Sequence, residues 1–388
     1  MLSLAIVRDS HSARHQVRNL ARLIGAILIL LLATGSAEER IRIPEKRIGS
    51  EALFQIRRDA KWGFMDVAGQ IVVMPAFQDV GEFFEGKAPV RRDNRWGFID
   101  HTGKTAIPFQ FDEAREFSDG FAAVRVGRKW GYVDHTGKIA ITPRFQGAGS
   151  MVGHRAKVEL WSRVTCKGEN GPETYTNESA PEWLLLIKDD PDNGCNFIDR
   201  RYGFIDTQGT FVIDPQFLYA SDFSEGRASF RSGNRFGFVD ESGKTVAEAK
   251  YIEVQQFSEN RAAVRVDLGW GYIEASGQSA VPPRFDFAGP FSEGFAAVRV
   301  RGRWGYINKS GLFVIPLQFE SALPFSEGLA PIILSDGRGG YVDAQGLVRL
   351  LCGSCRPWRF IRDLAAVTFG DHVDYIDKSG KKVEAQTN

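Results

Sequence analysis

The strongest constraint on this chain is a short motif that returns at a fixed interval. Trp-Gly-aromatic-aliphatic-Asp runs from Trp62 to Asp66, from Trp96 to Asp100 and from Trp130 to Asp134. It returns from Tyr202, Phe236, Trp270 and Trp304, closing on Asp206, Asp240, Glu274 and Asn308. Anchors 62, 96 and 130 are 34 apart, as are 202, 236, 270 and 304, while the step from 130 to 202 is 72, one period plus 38 residues. Two degenerate copies follow, around Gly340-Tyr341-Val342-Asp343 and Tyr375-Ile376-Asp377, giving about nine units. A unit this short cannot bury an apolar face by itself, so neighbouring units must stack.

Each unit reads as strands and turns. Ala122 to Val126 alternates with β-branched residues, Gly127-Arg128-Lys129 turns the chain, and Trp130 to Asp134 is a second strand. His135-Thr136-Gly137-Lys138 is a turn, since Gly accepts positive φ and the Asp can hydrogen-bond into the turn backbone. A third strand, Ile139 to Ile141, stops at Pro143, and a loop leads through Phe-Ser-Glu/Asp-Gly to the next unit. No helical periodicity interrupts this. The expectation is an all-β tandem array of about nine three-stranded β-meander repeats of 34 residues, arranged as an open solenoid or superhelix. A closed β-propeller is the alternative, disfavoured because blades usually carry four strands in about 40–50 residues and seldom number nine.

The pattern Trp-Gly-Phe/Tyr-Ile/Val-Asp-x-Ser/Thr-Gly-Lys resembles the bacterial WG-repeat family over nearly all of residues 52–388. The resemblance implies a binding or interaction module and no defined chemistry. Tyr202 and Phe236 stand where the family has Trp, and the last two units lose the Trp-Gly pair, as expected of terminal caps.

Ahead of the repeats, Arg8, Arg14, Arg18 and Arg22 precede an apolar run from Leu23 to Ala33 and the small residues Gly35 and Ala37. This matches a secretory signal over 1–37, cut after Ala37, with 38–51 as a linker. An 11-residue run is short for a membrane span, so no stable span is expected after cleavage. Location is then periplasmic or secreted. The mature chain has 45 basic and 47 acidic residues, 45 − 47 = −2, which gives no reason to expect nucleic acid as partner.

Functional candidates are few. The anchors Trp62, Trp96, Trp130, Tyr202, Phe236, Trp270 and Trp304 are read as repeat core rather than as a sugar-stacking platform. Asp66, Asp100, Asp134, Asp206 and Asp240 are read as turn caps rather than calcium ligands, because Glu274 and Asn308 share their slot. His101 and His135 fall in equivalent turns and are read as solvated. Arg125, Arg265 and Arg299 could form a basic stripe, offset by the acidic turns. No nucleophile elbow, zinc-protease helix or phosphate loop is present, so no catalytic residue, cofactor or metal site is assigned.

Two departures from the repeat carry more information. The 38 extra residues fall in a hairpin, within 161–200, and carry Trp161, Tyr175 and Trp183 as candidate recognition residues. Cys166 and Cys195 lie inside this insertion, and a bridge between them would close the loop in an oxidising compartment. Cys352-Gly353-Ser354-Cys355 lacks the helix that thioredoxin-like chemistry requires, so it reads as a local structural disulfide. The expected function is an exported, non-catalytic scaffold binding a protein or an envelope polymer through its loop edge and the 161–200 insertion. An envelope hydrolase or carbohydrate-active enzyme is one rival, and a purely structural envelope protein another.

Overall fold

The computed structural model describes residues 53–161, 163–168, 171–176, 195–198, 200–370 and 372–384. The signal and linker expected over 1–37 and 38–51 lie outside these residues. Among the described residues every regular element is a strand or an isolated bridge. Blade 3 shows the unit: an inner strand Glu113–Ser118, a second Phe121–Val126, a third Lys129–Asp134 and an outer strand Ile139–Phe145, each antiparallel to its neighbour. Nine antiparallel sheets follow one another, seven of them with these four strands and blades 1 and 5 with three among the described residues, and the ring closes into a nine-bladed β-propeller.

Two expectations are corrected here. Seven of the nine units contribute four strands among the described residues, blades 1 and 5 showing three, and the array is closed rather than open. The missed strand is the segment that follows Pro-x-Phe, as in Gly147–Val152, which crosses to become the inner strand of the next blade. Its composition hides it: Glu-Ala-Arg-Glu, Gly-Ala-Gly-Ser and Phe-Ala-Gly-Pro occupy the same stretch in blades 3, 4 and 7. In blades 2, 6 and 8 it pairs over only two residues, at Asp79–Val80, Glu253–Val254 and Ser321–Ala322. In blade 2 this short inner strand shares its sheet with a seven-residue outer strand, Thr105–Phe111. Closure of the ring is direct. In blades 2 and 3 the turn glycine sits over the outer strand of the blade before, with a Cβ at Gly137 falling 2.8 Å from Ile107. Gly69 of blade 1 sits in the same way over the backbone of Glu384 in blade 9, and Phe54 meets Tyr375 at 5.4 Å.

Burial ranks the residues of the motif differently from their prominence in the sequence. The aromatic two places after the Trp is the deepest: Phe64, Phe98, Tyr132, Phe204 and Tyr306 are all fully buried. Trp62, Trp130, Tyr202 and Trp270 are buried too, whereas Trp96, Phe236 and Trp304 are half-buried. The motif's Gly has a steric cause. The outer strand bulges opposite it, between the pairs Trp130↔Phe145 and Tyr132↔Ile141, and a Cβ on Gly131 would stand 2.7 Å from the Pro143 nitrogen.

Adjacent blades are also joined by hydrogen bonds that repeat with the sequence. The hydroxyls of Tyr132, Tyr272, Tyr306 and Tyr341 donate to carbonyls of the next inner strand, at Gly149 (2.9 Å), Gly289, Leu323 and Trp358 (2.8 Å each). Burial pushes the Tyr132, Tyr272 and Tyr306 phenols well above the usual tyrosine range. In the Phe-Ser-Glu-Gly turn, Ser258 and Ser292 donate to the carbonyls of Phe291 and Phe325 at 2.7 and 2.8 Å. The Glu of the same turn accepts from the next turn's amides, as Glu225 does from Glu259 and Asn260 at 2.7 Å each. These turns need left-handed backbone, with φ of 55° at Glu293 and 85° at Gly294.

Candidate functional site: the arm on blade 4

In blade 4 the second strand Arg155–Leu160 pairs with the third strand Arg201–Ile205, ending at Leu160↔Arg201. In blade 3 the equivalent hairpin turns within Val126 to Lys129. The insertion therefore leaves from the face that carries these second-to-third-strand hairpins and does not disturb the blade. It builds its own sheet: Arg163–Gly168 lies between Gly171–Thr176 and Cys195–Ile198. Cys166 and Cys195 are direct cross-strand partners, Cα atoms 3.9 Å apart, and are joined as a disulfide. A bridge that closes a loop of this length stabilises by on the order of 3 kcal/mol.

The root of the arm is a packed polar joint. Trp161 is 3% exposed, and Gln146 donates to its carbonyl at 3.2 Å. This burial places Trp161 at the root of the arm rather than on its exposed surface. Tyr175 lies on the arm's edge strand opposite Val164, and Trp183 lies outside the described residues. Glu159 is the cross-strand partner of Tyr202 and pairs with Arg200 at 3.3 Å. Arg200 lies over the Tyr202 ring at 5.3 Å and donates to its hydroxyl.

Elsewhere the same slot holds Arg beside the anchor Trp, at Arg265↔Trp270 and Arg299↔Trp304, with Arg299 over the Trp304 ring at 5.8 Å. Blade 4 thus inverts the charge, and Tyr202 supplies an oxygen acceptor that an indole lacks. This explains one replacement of the anchor Trp; nothing in the structure explains Phe236.

The other candidates fall into structural roles. Asp134 accepts from the Thr136 amide and hydroxyl (2.9 and 2.6 Å) and from the Lys138 amide (3.1 Å), which closes its turn. These bonds, the Thr136 hydroxyl foremost, hold the Asp134 carboxyl below the usual carboxylate range. Asn308 makes the same two amide contacts, to Ser310 (3.0 Å) and Leu312 (3.1 Å). The arginine stripe is offset from the inner strand: Glu113 pairs with Arg125 at 2.7 Å, and Glu253 pairs with Arg265. His135 is no free solvated ring. It stacks on Phe117 at 4.4 Å and reaches Glu85 of the blade before at 2.9 Å.

The Cys352–Cys355 disulfide ties the outer strand of blade 8 to the start of blade 9, with Cys355 buried. Among the described residues no group of three His, Cys, Asp or Glu is placed to hold a metal ion, and no helix is long and apolar enough to cross a membrane. Sequence reasoning passed over Trp358, which is 41% exposed on the inner strand of blade 9; outside the Trp-Gly slot, the repeat gave it no signal.

A closed ring of nine antiparallel blades, most of them four-stranded, with the Trp-Gly motif recurring on equivalent strands defines a repeat β-propeller. The family profile for the WG containing repeat matches residues 62–96, 96–130, 130–159, 202–235, 236–267, 270–304 and 304–336, and the chain belongs to that family. No curated protein matches it. Among solved structures it is similar to the eukaryotic initiation factor, at 10% identity and a TM-score of 0.53, covering 86% of this chain and 95% of that one. BamB from Moraxella catarrhalis also matches, at 10% identity and a TM-score of 0.38, covering 87% and 95%. The first likeness supports the propeller fold and nothing further.

Proposed function

We propose that this protein is an exported, non-catalytic scaffold that binds a protein or an envelope polymer through the arm on blade 4 and the hairpins of the same face. The observation that carries this reading is the arm: a separate disulfide-linked sheet inserted in one hairpin of an otherwise regular ring. Chain added at one repeat edge without altering its blade is chain kept for contact rather than for folding. The non-catalytic reading rests on where the carboxylates go. Asp134, Glu225 and Glu159 are engaged in a turn, a blade joint and an ion pair. Export is favoured by the two disulfides together with the basic-then-apolar leader over 1–37.

The test is an affinity capture from envelope extract with the full chain, beside a variant in which residues 162–199 are replaced by a short turn. A partner recovered by the full chain and lost with the arm supports the proposal. Recovery of the same partner by both moves recognition to the ring, and hydrolysis of an envelope polymer by the purified chain would overturn the non-catalytic reading.

A further inference from the structure

Three blades begin their inner strand with a carboxylate set against an arginine of the second strand. The cross-strand pairs are Asp79↔Arg91, Glu113↔Arg125 and Glu253↔Arg265. The last two are ion pairs, with Arg125 reaching Glu113 at 2.7 Å. Blades 5 and 7 break this arrangement in the same way. Tyr219 and Phe287 stand where the carboxylate would. The Tyr219 carbonyl accepts the Arg231 amide at 3.1 Å, and Phe287 lies directly across from Arg299. In blades 4, 8 and 9 the residue opposite is Glu159, Ile333 or Thr368, so no arginine is stranded there.

The exchange has two consequences. Arg231 and Arg299 lose their carboxylate, and Arg235, Arg301 and Arg303 on the same two hairpins are exposed and, among the described residues, also without an ion pair. Aromatic rings are joined as well. Tyr219 lies between Tyr202 and Phe236 at 6.4 and 5.8 Å, and Phe287 lies between Trp270 and Trp304 at 5.5 and 5.4 Å. Tyr219 is 42% exposed, while Phe236, Phe287 and Trp304 are half-buried. Both clusters sit at the hairpin end of their blades, on the face that carries the arm.

We propose that these two clusters bind a glycan that bears carboxylates, an inference that rests on the scaffold reading above and names the polymer. The C–H face of a sugar ring packs on an exposed aromatic ring, and a carboxylate takes the planar fork of an arginine. The choice of carboxylate comes from the fold itself, because Arg125 and Arg265 already hold one in the same slot. An acidic protein segment would satisfy the arginines and leave the adjoining rings without a role. Blade 5 is the stronger site. Leu218 precedes Tyr219 there, whereas the exposed Asp286 precedes Phe287 and offsets part of the charge. Asp222, whose charge is felt at Tyr219, is itself met by Lys157 at 3.6 Å.

The test is affinity electrophoresis of the full chain through gels containing alginate, dextran or poly-glutamate. Alginate should retard the chain, dextran should not, and poly-glutamate should do so more weakly. Tyr219→Glu rebuilds at Arg231 the pair seen in blade 3, so it should keep Tm and weaken alginate binding about tenfold. Tyr219→Ala removes the ring alone and should weaken it about fivefold. Phe287→Glu should have a smaller effect than Tyr219→Glu. Lys138→Gln, in a turn of the opposite face, removes one positive charge and should change nothing. Migration unaffected by alginate overturns the proposal, as does an equal loss in Lys138→Gln. Retention by poly-glutamate as strong as by alginate, with Tyr219→Ala harmless, assigns the face to an acidic protein instead. If alginate fails while envelope capture still yields an arm-dependent partner, this inference falls and the scaffold reading stands.

Discussion

The ring and the arm are held together in different ways. Between blades 7 and 8, Tyr306 is fully buried, its hydroxyl donates to Leu323, Ser292 donates to Phe325 and Glu293 accepts from Glu327 and Gly328. Most of these contacts recur with the period, so the ring's stability is spread over many similar joints. Among the described residues the arm has three strands, one disulfide and a packed root at Trp161 and Gln146. A small sheet of this kind is marginal without a covalent tie. The contrast separates a part whose order is collective from a part whose order is local.

The largest test of that separation is Tyr306→Ala in the ring. Emptying a fully buried aromatic site should cost about 3–5 kcal/mol and lower the main thermal transition, while limited proteolysis of the arm stays as in the parent. Next is the paired change Cys166→Ser with Cys195→Ser. It should remove on the order of 3 kcal/mol from the arm alone, opening 162–199 to protease with the main transition unmoved. A drop in the main transition would show that the arm helps to hold the ring.

Gly305→Ala places a Cβ 2.6 Å from the Ile315 carbonyl oxygen and should cost about 1–3 kcal/mol by forcing the bulge apart. Ser292→Ala removes one hydrogen bond and leaves the buried Phe325 carbonyl without that donor, for a loss of about 1 kcal/mol read by chemical denaturation. Both should leave the arm's protease pattern alone.

The smallest effect is in acid. The Asp100, Asp134 and Asp240 carboxyls are held below their usual value of 3.8, first by the Thr102, Thr136 and Ser242 hydroxyls. A carboxyl depressed on folding stabilises above its unfolded pKa, and that stability is lost as pH falls through its folded pKa. The ring should therefore lose stability below about pH 3.8 from this source, with little change between pH 5 and 7. Converting these three to Asn, which already serves at Asn308, should flatten the acid slope while leaving neutral stability nearly the same. An unchanged slope would mean that other carboxylates dominate acid unfolding.

Much of this was legible from residues alone. The period, the all-β character, the strands from Ala122 to Val126 and from Trp130 to Asp134, the Asp-capped turn and the site of the extra 38 residues all depend on neighbours in sequence. Alternation, turn glycines and Asx contacts are local, so they leave a pattern in the chain. The inner strand left none, because two apolar residues carry it, Ala114 and Phe117 in blade 3 and Ala148 and Met151 in blade 4, and its hydrogen bonds go to a partner it meets only after the turn. The same distance hid the role of His135, which is set by Glu85 fifty residues earlier. It hid Trp161 as well, whose aromatic character reads equally as contact or anchor until its burial is known.

Sequence by itself therefore determined that this is a β repeat protein, where its units begin and where one of them is interrupted. The tertiary structure decided that the array closes, that the aromatic after Trp-Gly is its deepest residue, and that the arm is rooted on a Glu159–Arg200–Tyr202 joint. The reason is geometric. A repeat fixes the shape of each unit, but closure depends on the small rotation between units summed around the ring, which no single unit encodes.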